Sequence, residues 1–134
     1  GLPYKFVADP VELAGHCDIL VATLAGGAAT KGLIGAEVFE ALGPNGYFIN
    51  VARGTVADEA ALLDALEGRR IAGAGLDVFM NEPASDPRFL ALDNVVLQPH
   101  HGSGTVETRR AMGQLVRDNL AAHFAGRPLL TPVV

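Results

Sequence analysis

The pattern of this chain changes period repeatedly: short apolar runs alternate with stretches carrying helix start and stop signals, and no segment repeats another. A parallel sheet with crossover helices satisfies that alternation, so the expected class is α/β. Asp9-Pro10-Val11-Glu12 reads as a helix start with Asp9 as N-cap and Pro10 at the first helical position, and this helix ends near His16. Residues 18–23 (DILVAT) read as a buried strand, followed by a loop of small residues that lets backbone approach something closely. Residues 35–42 are helical, and Gly43-Pro44-Asn45-Gly46 breaks them into a turn before a strand over 47–51. Asp58 caps a helix in which Leu62, Leu63 and Leu66 share a face, with Gly68 as its stop. A strand over 71–79, one or two helical turns over 87–92 and a strand over 94–98 follow. From Thr105 to about Ala125 a long helix closes the fold, with Met112, Leu115, Val116, Leu120 and Phe124 at helical spacing. The tail over 127–134 is apolar and Pro-rich, and is expected to pack on a surface, one candidate being sequence beyond this stretch.

Composition narrows the possible functions. With 134 residues, 49% hydrophobic and 19% charged, the chain describes one compact soluble domain and excludes disorder. No apolar run approaches the roughly 18 residues needed to span a bilayer. A net charge of -5, scattered basic residues and 6% aromatics argue against a nucleic-acid partner. The lone Cys17 reads as a buried thiol in a reducing compartment, and the opening Gly1-Leu2-Pro3, without Met or leader, as a processed or excised piece.

In an open parallel sheet, ligands bind beyond the carboxyl ends of the strands. Arg53 follows the strand over 47–51, and Glu82 follows the strand over 71–79, with Asp77 still inside it. His100 and His101 follow the strand over 94–98. One sheet edge therefore gathers a guanidinium, two carboxylates and an imidazole. Reduction of a 2-keto acid needs such a set. Arg offers a planar fork to the substrate carboxylate, His gives a proton to the developing alkoxide, and a carboxylate beside the His favours the imidazolium and fixes the ring. None of these side chains carries hydride, so a cofactor is implied. Taken singly, Arg53 also reads as a surface salt-bridge partner, Asp77 as a turn cap, His100 as a satisfied loop histidine and Glu82 as a solvated acid. Only their joint placement favours chemistry. His16 and His123 lie on predicted helices and are assigned none.

The strings NVARGTVADEAALLDAL, RIAGAGLDVFMNEP and NVVLQPHHGSGTVETRRAM, in that order, resemble the C-terminal half of the D-isomer-specific 2-hydroxyacid dehydrogenases, especially the glyoxylate and hydroxypyruvate reductase branch. The resemblance implies part of a Rossmann-type doubly wound parallel sheet, lacking the N-terminal strands and most of the substrate domain. Residues 1–103 would belong to the dinucleotide-binding domain, and 104–134 would form the closing helix and tail that return to the substrate domain. It implies an NAD(P)-dependent, homodimeric parent enzyme acting on a small 2-keto or 2-hydroxy acid, while the lone Cys17 and the lack of a leader give the expectation of a cytoplasmic location. Arg53, Glu82 and His100 would be catalytic. Thr23, Leu24, Ala52, Arg53, Asp77, His100 and Gly102 would lie against the cofactor, and no metal is expected. The sequence departs from the family at His101, usually aliphatic, at Met80, often an acid, and at Ala25, commonly Pro. Because the family's His directly follows the Pro, His100 is favoured over His101.

The Gly-rich pyrophosphate turn is not found. GAGLDV (73–78) opens no helix, and Glu107 replaces the third glycine in GSGTVE (102–107). Residues 1–134 alone are therefore expected to bind cofactor weakly and turn over negligibly. Two other readings remain: an NAD(H)-binding corepressor-like sensor of the same fold, and a small flavodoxin-like module without catalysis. A formate dehydrogenase is disfavoured, since that branch has Gln at the position of Glu82.

Overall fold

A computed structural model describes residues 3–133; Gly1 and Leu2 at the start and Val134 at the end of the tail lie outside the described residues. Two compact units divide the chain, Gly1–His100 and His101–Val134.

The first unit is built on four parallel strands in the order β1-β2-β3-β4: β1 Ile19–Ala22, β2 Tyr47–Asn50, β3 Gly73–Leu76 and β4 Val95–Leu97. Register brings Ala22, Asn50, Leu76 and Leu97 into one row across the sheet. One more set of hydrogen bonds extends it: Val51 N–H donates to Ala22 O (3.2 Å), Asp77 N–H to Asn50 O (3.0 Å) and Gln98 N–H to Leu76 O (2.8 Å). The strands therefore finish side by side.

Among the described residues of this unit are the α-helices α1 Pro10–Ala14, α2 Ala36–Leu42 and α3 Glu59–Glu67. Asp9 caps α1 through Val11 N–H, and Asp58 caps α3 through both Ala60 and Ala61 N–H, as their sequences require. Leu62, Leu63 and Leu66 of α3 are buried with Val38, Phe39 and Leu42 of α2 and with the inward strand residues Leu20, Ala22, Phe48, Ala74 and Leu76. Phe39 meets Phe48 edge to face at 5.3 Å, a pairing that adds about 0.5–1.5 kcal/mol beyond area burial.

Several expectations are corrected here. The stretch 18–23 is buried on one face only: Leu20 and Ala22 point inward, while Ile19 and Val21 are half exposed. Tyr47, on the neighbouring strand, alternates in the same way. β3 is four residues long rather than nine, because its ladder runs only as far as its partner β2 extends; Asp77 lies just past its end. The predicted helical turns over 87–92 are a 3-10 helix, Pro87–Ala91, capped by Asp86. Cys17 is half-buried, and burial, helped by the Asp18 charge, pushes its thiol up, which disfavours the thiolate.

In the second unit α4 runs from Val106 to Phe124 with Thr105 as its cap. Its apolar stripe does not form a core. Met112, Leu115, Val116, Leu120 and Phe124 are all exposed, and Ala122 is the helix's buried residue. The tail folds back on this helix through one side chain. Asn119 Oδ1 accepts from Leu130 N–H (3.0 Å) and Thr131 N–H (3.2 Å), while its Nδ2 donates to Thr131 Oγ1 (3.0 Å). These bonds tie the tail to its own helix, while the side chains over 127–133 stay exposed. Among the described residues no helix is long and apolar enough to cross a membrane. Asn119→Ala should remove both acceptor contacts, so amide hydrogen exchange at Leu130 and Thr131 should lose its protection while that of α2 and α3 is unchanged.

Candidate active site

Each functional side chain sits in a loop that leaves the common strand-end row, and each loop is tied to the next. The loop after β1 closes on itself where Thr30 Oγ1 donates to Ala25 O (2.8 Å). Gly32 N–H to Thr55 O (2.9 Å) and Ile34 N–H to Val56 O (3.1 Å) then lace it to the loop after β2. Gly26 lies directly on Arg53: a Cβ there would meet Arg53 Cγ at 2.7 Å and Cβ at 3.0 Å.

Asn50, 2% exposed, braces the loop that carries Arg53. Its Oδ1 accepts from Ala52 N–H (3.1 Å) and its Nδ2 donates to Arg53 O (3.2 Å), which satisfies a polar side chain that would otherwise be costly to bury. The Arg53 guanidinium folds back so that Nη1 donates to Ala52 O at 2.6 Å. Gly54, one residue on, is buried against the loop after β3, where a Cβ would land on the Phe79 carbonyl.

The loop after β3 carries Glu82, which precedes a cis Pro83 bond. Glu82 Oε1 accepts from Phe79 N–H at 2.9 Å, and its Oε2 lies 2.6 Å from His100 Nδ1. That bond with His100, more than any other influence, holds the Glu82 carboxyl below the usual carboxylate range; burial opposes it, and Phe79 N–H and then the His100 and Arg53 charges reinforce it. Glu82 therefore stays ionised in acid where a free Glu would be protonated. His100 takes a left-handed backbone, φ 54°, which is uncommon for a residue with a Cβ and aims its ring from the strand end. Both side chains remain partly open to solvent.

The sheet edge thus brings Arg53, Glu82 and His100 together, and it is His100 that touches Glu82. His101 begins the second unit, its ring against Gly104. Asp77 stands at the same edge beside the β2 end, Ala52 is buried behind Arg53, and Thr23 and Leu24 begin the loop after β1. Gly102 lies in the second unit. Among the described residues no cluster of His, Cys, Asp or Glu could hold a metal. Gly26 lies in the small-residue loop expected to allow close backbone approach, whereas the sequence does not single out Asn50 or Gly54: a polar residue inside an apolar strand is the available signal for Asn50, and Gly54 reveals itself only through a contact between loops.

A parallel sheet flanked by helices, with an Arg, a carboxylate and a carboxylate-bound His at its carboxyl edge, is an α/β domain of Rossmann type with its candidate site where such sheets bind ligands. Residues 3–102 match the family described as D-isomer specific 2-hydroxyacid dehydrogenase, NAD binding domain, and the chain belongs to that family. It is 54% identical over 129 residues to the 2-ketogluconate reductase of Gluconobacter oxydans, covering 96% of this chain and 42% of that protein. It is 49% identical over 131 residues to glyoxylate/hydroxypyruvate reductase A of Arabidopsis thaliana, covering 98% of this chain and 42% of that one. A solved structure of the NADPH-dependent glyoxylate/hydroxypyruvate reductase from Sinorhizobium meliloti, in complex with NADP and malonate, superposes with a TM-score of 0.97 at 47% identity, over all of this chain and 42% of that one. The chain therefore spans less than half the length of these relatives.

The family matched over residues 3–102 is described as an NAD binding domain. Gly27 leaves open space where a side chain would stand, whereas GAGLDV lies largely in the β3 ladder and makes no phosphate turn. Gly54→Ala should force apart the loops carrying Arg53 and Glu82, since it meets backbone rather than a movable side-chain end. A loss of roughly 1–3 kcal/mol or more in chemical denaturation is expected.

Proposed function

We propose that the protein to which this sequence belongs is an NAD(P)-dependent reductase of small 2-keto acids such as glyoxylate or hydroxypyruvate, cytoplasmic and homodimeric. The 2.6 Å contact between Glu82 and His100 Nδ1, at the sheet edge shared with Arg53, carries this reading. The identities to 2-ketogluconate and glyoxylate/hydroxypyruvate reductases support the substrate class.

The reduced dinucleotide, when bound, supplies the hydride that becomes the new C–H bond at C2. Arg53 binds the substrate carboxylate and keto oxygen through its planar fork, turning from the Ala52 carbonyl it now holds. That exchange replaces a neutral acceptor with a charged one, which favours the substrate-bound position. Glu82 accepts the Nδ1–H of His100, so Nε2 is the nitrogen that hands its proton to the oxygen as the C=O bond becomes C–O–H. The ionised Glu82 offsets the imidazolium charge before transfer and keeps the ring from turning. Asp77, Thr23, Leu24, Ala52 and Gly102 are assigned to the cofactor's surroundings.

In the full-length protein, His100→Ala should lower kcat by about 10²–10⁴-fold. Arg53→Ala should chiefly raise KM for 2-keto acids. Steady-state oxidation of reduced cofactor against a panel of such acids checks both. No turnover with any of them, with cofactor binding intact, would overturn the reading in favour of a dinucleotide sensor.

A further inference from the structure

One acidic residue near the site is accounted for neither by its own helix nor by the chemistry above. Glu59 is the first residue of α3, a place where a carboxylate usually serves the helix start. Asp58 already performs that service, its Oδ1 accepting from Ala60 and Ala61 N–H at 3.1 Å each. The Glu59 carboxylate reaches elsewhere: Oε2 accepts the N–H of Met80 at 2.9 Å, 21 residues further along.

Met80 belongs to the loop that carries Glu82. Two successive amides there are given to two different carboxylates, Phe79 N–H to Glu82 and Met80 N–H to Glu59. Gly54 closes on the same peptide, Phe79 to Met80, from the loop after β2. The backbone on which Glu82 hooks itself is therefore fixed from outside, by the start of a helix buried in the core through Leu62, Leu63 and Leu66. Gly54 limits how close the two loops come, and the Glu59 bond fixes the Met80 amide, two residues before the carboxylate that meets His100.

We propose that Glu59 is a positioning residue: by holding Met80 N–H it fixes the loop that presents Glu82 to His100, and so governs proton delivery without touching substrate. For turnover this rests on the proposed function; for the geometry of Glu82 it does not.

The clamp needs an acceptor of the right length rather than a charge, whereas a role in α3 alone would need the charge. The two are separated in the full-length protein by Glu59→Ala, Glu59→Gln and Glu59→Asp, with near-ultraviolet circular dichroism as the check on folding. Turnover of 2-keto acids and the carbon-13 titration of the Glu82 carboxyl are both followed. Glu59→Ala should lower kcat by about 10-fold with KM within about two-fold, and should move the Glu82 titration up towards the ordinary carboxylate value. Glu59→Gln, which keeps an acceptor oxygen in place, should restore both. Glu59→Asp, one methylene short, should behave like Ala, and it replaces the Ala variant should that one fail to fold. Wild-type values in a folded Ala or Asp variant, or a Gln variant as impaired as Ala, would overturn the proposal. A wild-type protein without turnover would remove the proposed function, and the Glu82 titration would still decide the role of Glu59.

Discussion

The parallel register that places Ala22, Asn50, Leu76 and Leu97 in one row is the constraint on which everything else here depends. Parallel strands in register end together, and side chains a few residues beyond the ends are then neighbours although far apart in sequence. Arg53, Glu82 and His100 are three such side chains. A one-residue slip in any pairing would turn inward side chains outward and carry the attached loop with it. The buried set of Leu20, Phe48, Ala74 and Leu76 against α2 and α3 fixes the register, so core packing and site geometry share a cause.

Register alone leaves the loops loose, and a second layer of interactions ties them in sequence. Backbone bonds join the loop after β1 to the one after β2, Gly54 and Glu59 join that one to the loop after β3, and Glu82 joins it to His100. Most of these ties are backbone groups or residues without bulk, which explains why glycine stands at both points of closest approach, 26 and 54. The chemistry is borne by exposed side chains, and buried groups such as Asn50 position them.

Much of this was legible in the sequence because it is local. Asp9 and Asp58 announce their helices, Gly-Pro-Asn-Gly announces its turn, and the residues following each apolar run pick out Arg53, Glu82 and His100. The choice of His100 over His101 came from a family resemblance, and the contact with Glu82 gives it a physical basis. What could not be read depends on partners. The nine residues 71–79 look uniformly strand-like, yet a strand lasts only as long as the ladder beside it, and β2 ends at Asn50. DILVAT is apolar at successive positions, which conceals that only alternate residues are buried here. The stripe on α4 has helical spacing without a core behind it, and Leu130 and Thr131 of the tail are held by Asn119, which no periodicity marks. Glu59 stands beside the cap residue Asp58, and its bond to Met80, 21 residues on, has no local signal in the sequence.

The central claim is that a carboxylate from one strand-end loop holds the Nδ1–H of a histidine from the next. Nitrogen-15 histidine spectra of the full-length protein test it most directly. The account predicts that His100 carries its proton on Nδ1 when the ring is neutral, that this proton is strongly deshielded by the short bond to Glu82, and that the signal is lost in Glu82→Ala. A neutral His100 protonated at Nε2, or an Nδ1 proton unchanged when the Glu82 carboxylate is removed, would contradict it.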